Sequence, residues 1–424
     1  MQTIDRSKLF WASCLSLLVT SLSFGIRAGI INKLGVDFQL STSQLSTIIA
    51  TAFWGFPLAV IIGGMIVDVI GMKRLLVIAF VLHLAGILLT VFAQGYWTLF
   101  ISTLLIGIAN GTVEAACNPL VTALYPDNKT SKLNHFHLWF PGGILIGTLV
   151  VILFNSIGLG WQLQVGIMII PTLIYGYLFS KLDFPVTERV SSGISTAAMY
   201  KSVVSPLFIF MFICMFGTAI TELFTGQWID VLLKNVTDNA ILILSLTAGV
   251  MVLGRGLAEP IVHRFSPQGV LLMSAILSAL GLYMLSTLSG NSVFFGAIVF
   301  GMGVCYFWPT MLGFVAENIP ESGALGLNIL GGAGMFAVSV YTYFMGKHYD
   351  EILINKLPAG AEIGEYVKAA PGTEMATQLA QATSAAGPEV IQATLVIPIA
   401  LSIAFAGLVI YMKARKNKVA LQAA

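Results

Sequence analysis

Glu114 is the first side chain to consider, because it places a carboxylate inside a long apolar stretch of sequence. No other Asp, Glu, Lys, Arg or His lies between Tyr96 and Pro126, and this stretch is long enough to cross a bilayer as a helix. A charged side chain costs about 2.5–3.5 kcal/mol at the centre of a bilayer, so we expect Glu114 to face a water-filled cavity or a polar partner. Asn118 and Pro119 follow in the same segment, where Pro119 interrupts the helix and frees a backbone carbonyl. Interrupted helices at membrane depth are typical of the substrate sites of secondary transporters.

Among the other charged residues within apolar segments, Arg27 in the first and Glu222 in the seventh are the candidates for a functional role. Arg27 does not lose its charge, so it cannot carry a proton, but its guanidinium could neutralise Glu114 or bind an anionic or hydroxyl-rich ligand. The alternative is that the Arg27 side chain extends to the membrane interface. If Arg27 keeps Glu114 ionised, Glu222 becomes the group expected to gain and lose a proton. Glu114 and Glu222 are therefore the candidates for proton coupling.

Uncharged polar and aromatic side chains complete the predicted substrate site. Amide groups can donate hydrogen bonds to hydroxyl groups and can also accept hydrogen bonds from them. The flat face of a tryptophan can pack on the C–H side of a sugar ring. The alternative for each residue is a hydrogen bond between helices or anchoring at the interface. The substrate candidates are Arg27, Glu114, Asn118, Asn134, His137, Gln227, Trp228, Trp308 and Asn328.

Composition places the chain in a membrane. Of its 424 residues 57% are hydrophobic and only 9% are charged, whereas soluble domains carry about 25% charged residues. Nothing indicates nucleic-acid binding. The four cysteines lie in apolar segments without CxxC spacing, which is typical of small buried side chains rather than disulfides or metal ligands. No phosphate-binding GxxxxGK[ST] motif or HExxH zinc motif occurs, so we expect neither a cofactor nor an enzyme activity.

Twelve apolar segments of spanning length predict the elements that position these side chains. They cover about residues 9–32, 44–69, 75–94, 97–125, 134–156, 161–182, 204–233, 240–263, 269–288, 292–316, 323–346 and 390–412. Most of the 21 Lys and Arg residues fall on one side of this arrangement, which places both termini in the cytoplasm. We therefore expect a multi-pass protein of the cell membrane, the inner membrane of a bacterium.

The polar segment in the middle of the chain predicts two bundles of six helices, residues 1–183 and 204–424, joined by a cytoplasmic linker at 184–203. The halves repeat one another: Asn118-Pro119, Leu133-Asn134 and Gly142-Gly143 correspond to Trp308-Pro309, Leu327-Asn328 and Gly331-Gly332. Such paired interruptions indicate a pseudo-symmetric transporter. The loop at 347–389 is expected outside, irregular or briefly helical.

The turn after the second segment, GMIVDVIGMKR from Gly64 to Arg74, resembles the signature of the major facilitator superfamily. It places Asp68 at a helix end close to Lys73 and Arg74, a charge cluster that can hold two helices in one state of a cycle. Residues 254–264 repeat it weakly in the second half, and Arg255 is interpreted as a structural part of that repeat. The resemblance implies an all-α membrane protein with twelve helices in two pseudo-symmetric bundles.

Within that superfamily, VEAACNPLVT at 113–122 with Leu133-Asn134, and RFSPQGVL at 264–271, resemble the fucose/galactose/glucose permease family of sugar–proton symporters. The resemblance implies that Glu114 lines the sugar cavity and that a carboxylate at Glu222 belongs to the site. That family also has an acid in its first span. This chain has none there, since residues 23–29 read SFGIRAG.

These observations predict a secondary transporter of a sugar or related small polar solute, driven by a cation, proton or sodium, and embedded in a lipid bilayer. One alternative is a transporter of an anionic solute, such as a sugar phosphate or sugar acid, with Arg27 as its anchor. Another is a membrane sensor that binds its ligand without moving it.

Overall fold

A computed structural model describes residues 4–40, 42–226, 240–370 and 372–423, which form helices joined by short turns. The helices of the first half are α1 Arg6–Asp37, α2 Thr42–Ile70, α3 Met72–Val91, α4 Tyr96–Leu124, α5 Lys129–His137, α6 Trp139–Ser156, α7 Trp161–Gly166, α8 Ile169–Lys181, α9 Glu188–Ser191 and α10 Thr196–Ser202. Those of the second half are α11 Pro206–Ala219, α12 Ala240–Gly256, α13 Ala258–Thr287, α14 Val293–Val304, α15 Phe307–Asn318, α16 Gly323–Lys356, α17 Ile363–Val367, α18 Glu374–Thr394 and α19 Val396–Ala423. The predicted all-α class is confirmed.

Eleven helical segments among the described residues are long and apolar enough to cross a membrane. The eighth predicted segment forms a shorter apolar helix, Ile243–Gly256, which follows the undescribed residues 227–239. The seventh predicted segment runs into those same residues. The remaining predicted segments each coincide with a spanning helix.

The turn that resembles the superfamily signature depends on one glycine. Gly71 lies between α2 and α3 with φ 85°, a left-handed conformation that side chains with a Cβ rarely adopt. It allows the two helices to follow one another without a loop, which holds Asp68 and Lys73 within one short segment.

The described helices form two compact units. The first unit contains Met1–Phe212, Arg255–Val262 and Pro309–Met335, and the second contains Ile213–Gly254, His263–Trp308 and Phe336–Ala424. The units therefore do not coincide with the two halves of the sequence. The reason is that Arg255–Val262 and Pro309–Met335 make hydrogen bonds to first-half helices, as described below.

The segment at 347–389 is more regular than its composition predicts. α16 extends to Lys356, and α18 covers Glu374–Thr394 despite Pro388 in its interior. A small apolar core holds these helices together, and Lys356 Nζ lies 2.6 Å from Glu389 Oε1 across them. The expectation of an irregular or briefly helical loop was wrong. The Thr373 side chain accepts a hydrogen bond from the Ala376 amide and so caps an alanine-rich helix.

Candidate functional site

Glu114 lies on α4 in the first unit, and its side chain is buried. The residue is 3% exposed, and Asn118 Nδ2 donates a 2.7 Å hydrogen bond to Glu114 Oε2. The two side chains are neighbours because they are four residues apart on one face of the helix. Glu114 is therefore held by a polar partner, and it is closed to solvent in this conformation.

His137 extends this pair into a network. Its Nε2 lies 3.0 Å from Asn118 Oδ1, and its Nδ1 lies 3.8 Å from Glu114 Oε1. Since Asn118 uses its amide nitrogen on Glu114, its oxygen must accept, and the Nε2 of His137 must carry a hydrogen. In the neutral imidazole, the Nδ1 atom that faces Glu114 then carries no hydrogen. The geometry brings the predicted site residues Glu114, Asn118 and His137 together.

Arg255 binds the backbone at the same place. Its Nη1 donates a 2.7 Å hydrogen bond to the carbonyl oxygen of His137, and its positive charge interacts with Glu114. The His137 carbonyl needs an external donor because the residue four positions later is Pro141, which has no amide hydrogen. Arg255 is buried at 1% exposure. The sequence interpretation of Arg255 missed this contact, although Pro141 four residues after His137 was a visible signal for it.

Asn328 makes the corresponding contact on α4. Its Nδ2 donates a 3.0 Å hydrogen bond to the carbonyl oxygen of Ala115, which Pro119 leaves without a helical donor. Asn328 also packs closely against Gly64 of α2, where a Cβ would lie 2.5 Å from the Cβ of Asn328. Asn328 therefore joins a second-half helix to two first-half helices.

Asn134 makes a reciprocal contact from the first half. Its Nδ2 donates to Thr130 O at 2.9 Å and lies 3.2 Å from Thr310 Oγ1, next to Pro309. Both Asn134 and Asn328 are fully buried, and in the described part of the chain their Oδ1 atoms have no hydrogen-bond partner. Both asparagines thus make the hydrogen bonds between helices that the sequence analysis gave as the alternative to substrate binding. Their two Oδ1 atoms remain as buried acceptors without a donor among the described residues.

Ionic and polar contacts surround the start of α5, and we refer to them as the α5 clamp. Glu317 Oε1 accepts hydrogen bonds from the Thr130 amide at 3.0 Å and the Thr130 hydroxyl at 2.6 Å, where the helix N-terminus favours negative charge. Lys129 Nζ lies 2.6 Å from Glu188 Oε1 and 3.0 Å from the Ala316 carbonyl oxygen. Asn128 Nδ2 donates to Glu259 Oε1 at 3.3 Å. The clamp thus ties second-half segments to α5.

Asp68 of the signature turn binds the linker. Its carboxylate accepts hydrogen bonds from Arg189 Nε and from the Thr187 hydroxyl. Lys73 Nζ donates to the Leu182 carbonyl oxygen at 2.8 Å, and Arg74 is exposed. The predicted charge cluster therefore draws its pairing cation, Arg189, from the linker, a partner that the turn itself does not reveal.

Glu222 belongs to the second unit, where Ile220–Phe224 form a π-helical turn after α11. Such turns often occur at functional sites. Glu222 Oε2 accepts a 3.3 Å hydrogen bond from the Trp308 amide, in the first turn of α15. Trp308 is 7% exposed. Gln227 and Trp228 lie outside the described residues.

Arg27 stands apart from these contacts. It lines a small cavity in the first unit together with side chains of α1, α2, α3, α4 and α7. Glu114 is not part of that lining, and its hydrogen-bond and charged partners are Asn118, His137 and Arg255. The structure therefore does not bring Arg27 to Glu114.

Comparison with known proteins identifies the fold and the family. The model of the Major Facilitator Superfamily matches residues 13–342. The crystal structure of FucP, the fucose:proton symporter of E. coli, in the outward conformation has a TM-score of 0.69 at 14% identity, covering 92% of this chain and 98% of that one. The proton:xylose symporter XylE, bound to 6-bromo-6-deoxy-D-glucose, has a TM-score of 0.72 at 14% identity, covering 94% of both chains.

One relative by sequence is facilitated glucose transporter member 10 of solute carrier family 2 from Danio rerio. It is 29% identical over 164 residues, which are 38% of this chain and 32% of the relative. The match thus spans about a third of that relative's own length. The structural likenesses show the fold, and the family model covers well over half of the chain. This protein is therefore a multi-pass membrane protein that belongs to the Major Facilitator Superfamily.

Proposed function

We propose that this protein is a secondary transporter that moves a sugar or a related small polar solute by alternating access, coupled to protons. The observation that carries the proposal is the network of Glu114, Asn118, His137 and Arg255. In it, a carboxylate and an imidazole that can exchange a proton adjoin an arginine of the second half. The resemblance to sugar transporters supports the solute class, since relatives and structural neighbours are described as glucose, xylose and fucose transporters.

The network holds one proton between Glu114 and His137. With hydrogen already on Nε2, a second proton lies either on His137 Nδ1, giving an ion pair, or on Glu114, giving two neutral groups. Without that proton, a carboxylate faces the bare Nδ1 lone pair at 3.8 Å, and the negative charge is balanced by Arg255. Proton loss therefore strengthens the attraction between Glu114 and Arg255, and proton binding weakens it.

This difference couples proton binding to conformation. Arg255, Asn328 and the α5 clamp all join second-half segments to first-half helices within one unit. In the predicted topology these contacts lie at the cytoplasmic end of the chain's helices. A proton that enters from outside would loosen Arg255 and favour opening to the cytoplasm, which is the order of events that symport requires.

The hydroxyl groups of a sugar are suitable hydrogen-bond donors for the Oδ1 atoms of Asn134 and Asn328. The free Oδ1 atoms of Asn134 and Asn328 accept hydrogen bonds, as sugar hydroxyls require, and they become accessible when the surrounding contacts open. Because Glu114 balances the charge of Arg255, the pair offers no net positive charge to attract an anionic solute. This electrostatic argument favours a neutral sugar over a sugar phosphate or sugar acid.

Counterflow in proteoliposomes tests the proposal directly. Vesicles are loaded with neutral, acidic or phosphorylated sugars and assayed at two pH values, with and without sodium. We expect a neutral sugar to drive counterflow, and accumulation to follow the proton gradient. Counterflow only with phosphorylated or acidic sugars would replace the proposal with the anionic-solute alternative. Saturable binding without flux would indicate a sensor.

A further inference from the structure

Four aromatic side chains meet near the ends of α1, α4 and α6 in the first unit, and we refer to them as the aromatic rim. Phe10 contacts Tyr125 edge to face, with 5.5 Å between the ring centroids, and Phe10 lies 6.2 Å from Trp11. Trp11 lies 6.0 Å from Trp139, also edge to face. Aromatic side chains at the ends of spanning helices are typical of the boundary between membrane and water.

Two basic side chains lie near Tyr125. Lys132 Nζ is 5.3 Å from the centroid of the Tyr125 ring, within the range of a cation–π contact, and the positive charge of Arg6 acts on the same phenol. Neither cation forms an ion pair with any residue in the described part of the chain. Asp5, next to Arg6 in the sequence, pairs with Lys8 at 3.0 Å. The rim therefore carries positive charge to which the described residues supply no carboxylate partner.

Exposure and depth give this surface the layout of a lipid site. Arg6 is exposed, and Trp11, which is 53% exposed, lies about 7.5 Å further along α1, given about 1.5 Å per helical residue. Lys132 of α5 likewise precedes Trp139 at the start of α6. The Trp11 indole N–H has no hydrogen-bond partner among the described residues, which leaves a donor for a headgroup or ester oxygen. In both segments a cation thus comes first, and an indole ring follows towards the apolar part of the span.

An anionic phospholipid fits this layout, whereas a soluble anion uses only part of it. A soluble phosphate could bind the cations but would leave the exposed indole of Trp11 without a contact. Asp127, the acid in the turn before α5, is exposed and forms no ion pair with Arg6 or Lys132. In the predicted topology this end of the helices is cytoplasmic, and anionic lipids give the cytoplasmic membrane surface its negative potential. Charge and depth therefore both favour a lipid.

We propose that the aromatic rim, together with Arg6 and Lys132, binds the headgroup of an anionic phospholipid. The two cations attract the lipid phosphate, while Trp11 and Trp139 pack along the glycerol and the first carbons of the acyl chains. Because Arg6 belongs to α1 and Lys132 to α5, one headgroup connects the ends of two helices. The site is separate from the Glu114 network and does not depend on which solute the protein transports.

Quenching of tryptophan fluorescence in vesicles tests the site. The full-length protein is reconstituted into mixtures of phosphatidylcholine and phosphatidylglycerol. One of the two lipids carries brominated acyl chains, which quench the tryptophans that they contact. We expect brominated phosphatidylglycerol to quench more strongly than brominated phosphatidylcholine, and Trp11→Phe to remove part of this difference. In Arg6→Gln with Lys132→Gln, the preference for phosphatidylglycerol should fall about fivefold for each cation removed.

Two control variants separate binding at the rim from the charge of the whole protein. Arg6→Lys with Lys132→Arg keeps both positive charges and should keep the lipid preference. Lys413→Gln with Arg415→Gln removes two exposed basic residues from α19, a helix without tryptophan, and should also keep the preference.

Equal quenching by the two brominated lipids would overturn the proposal, as would a preference that persists in Arg6→Gln with Lys132→Gln. An equal loss of preference in the α19 variant would overturn it as well, because the overall surface charge would then account for the effect. Loss of the preference on addition of inorganic phosphate, at an ionic strength kept constant with sodium chloride, would show that the cations bind a soluble anion instead of a lipid.

Discussion

Asn328 donates its side-chain amide to the carbonyl oxygen of Ala115, at 3.0 Å, because Pro119 cannot supply the helical hydrogen bond to that carbonyl. Arg255 and the His137 carbonyl repeat this relationship at 2.7 Å, with Pro141 as the proline. In both cases a proline four residues later creates a backbone acceptor, and a polar side chain from the second half of the sequence binds it. The carbonyls that Pro119 and Pro141 leave without a helical donor therefore act as docking sites for the second half.

The Asn328 contact predicts non-additive stability effects. Asn328→Ala leaves the Ala115 carbonyl buried without a donor, which lowers the free energy of unfolding by about 1–3 kcal/mol. In a Pro119→Ala background the amide of residue 119 can donate to the Ala115 carbonyl, so Asn328→Ala costs less. Thermal unfolding of the four proteins in detergent measures this coupling.

Asn291→Ala, at an exposed asparagine, is the matched control and leaves Tm unchanged. Equal Tm losses for Asn328→Ala in the two backgrounds would show that the freed carbonyl plays no part in the stabilisation.

Glu114→Gln is predicted to separate exchange from accumulation. Glutamine can accept from Asn118 Nδ2 and donate to His137 Nδ1, so it imitates the protonated network permanently. We expect counterflow to persist, while accumulation driven by a proton gradient falls by at least about tenfold, which corresponds to about 1.4 kcal/mol of lost coupling. Uptake into proteoliposomes with and without a pH gradient measures both quantities. Glu321→Gln, an exposed carboxylate, should accumulate solute like the wild type, and normal accumulation by Glu114→Gln would exclude Glu114 from coupling.

Arg255→Gln is predicted to open the end of the molecule that contains the α5 clamp. The variant removes both the bond to the His137 carbonyl and the positive charge near Glu114. A reporter cysteine at Ser131, which is fully buried beside the clamp, should react with a maleimide several times faster in this background. The four native cysteines are buried and contribute little labelling. Arg264→Gln, an exposed arginine, is the control, and an unchanged labelling rate in Arg255→Gln would show that Arg255 does not hold this end closed.

The pairing of Asp68 with Arg189 predicts the outcome of a charge exchange. Asp68→Asn breaks a hydrogen-bonded ion pair whose side chains are only 4% and 13% exposed, so we expect the initial transport rate to fall about tenfold. Exchange of the two residues, Asp68→Arg with Arg189→Asp, should restore part of that rate. Arg74→Gln should stay near the wild-type rate because Arg74 is exposed. A large fall in the transport rate of Arg74→Gln, together with no recovery in the exchanged double variant, would indicate that Asp68 pairs with Arg74 of the signature turn rather than with Arg189.

The sequence predicted the elements better than the contacts between them. Apolar length predicted the spanning helices, and the sequence named Glu114, Asn118 and His137 separately as candidates, which the structure places in contact. The sequence analysis did not place Arg255 in the network around Glu114. Its hydrogen bond is to the backbone carbonyl of His137, and since every residue has a backbone carbonyl, residue type does not reveal such a partner. Arg189 was missed because the linker was considered only as a connection, whereas it supplies the partner of Asp68.

The prediction for the segment at 347–389 was wrong for a different physical reason. Gly387 and Pro388, residue types that disfavour a helix interior, both lie inside α18. The Thr373 cap and the apolar core around Leu357 and Tyr366 stabilise the helix despite the proline. Tertiary packing outweighed local propensity here, and such packing cannot be obtained from composition alone.

Glu222→Gln tests whether a second carboxylate takes part in proton coupling. Glutamine keeps an oxygen that can accept from the Trp308 amide, so the start of α15 stays capped while the negative charge is lost. If Glu222 exchanges a proton, proton-driven accumulation should fall about tenfold while counterflow continues and loses its pH dependence. Glu351→Gln, an exposed carboxylate of the same unit, is the control. Unchanged proton-driven uptake in Glu222→Gln would assign coupling to Glu114 and His137 alone and leave Glu222 as a helix cap.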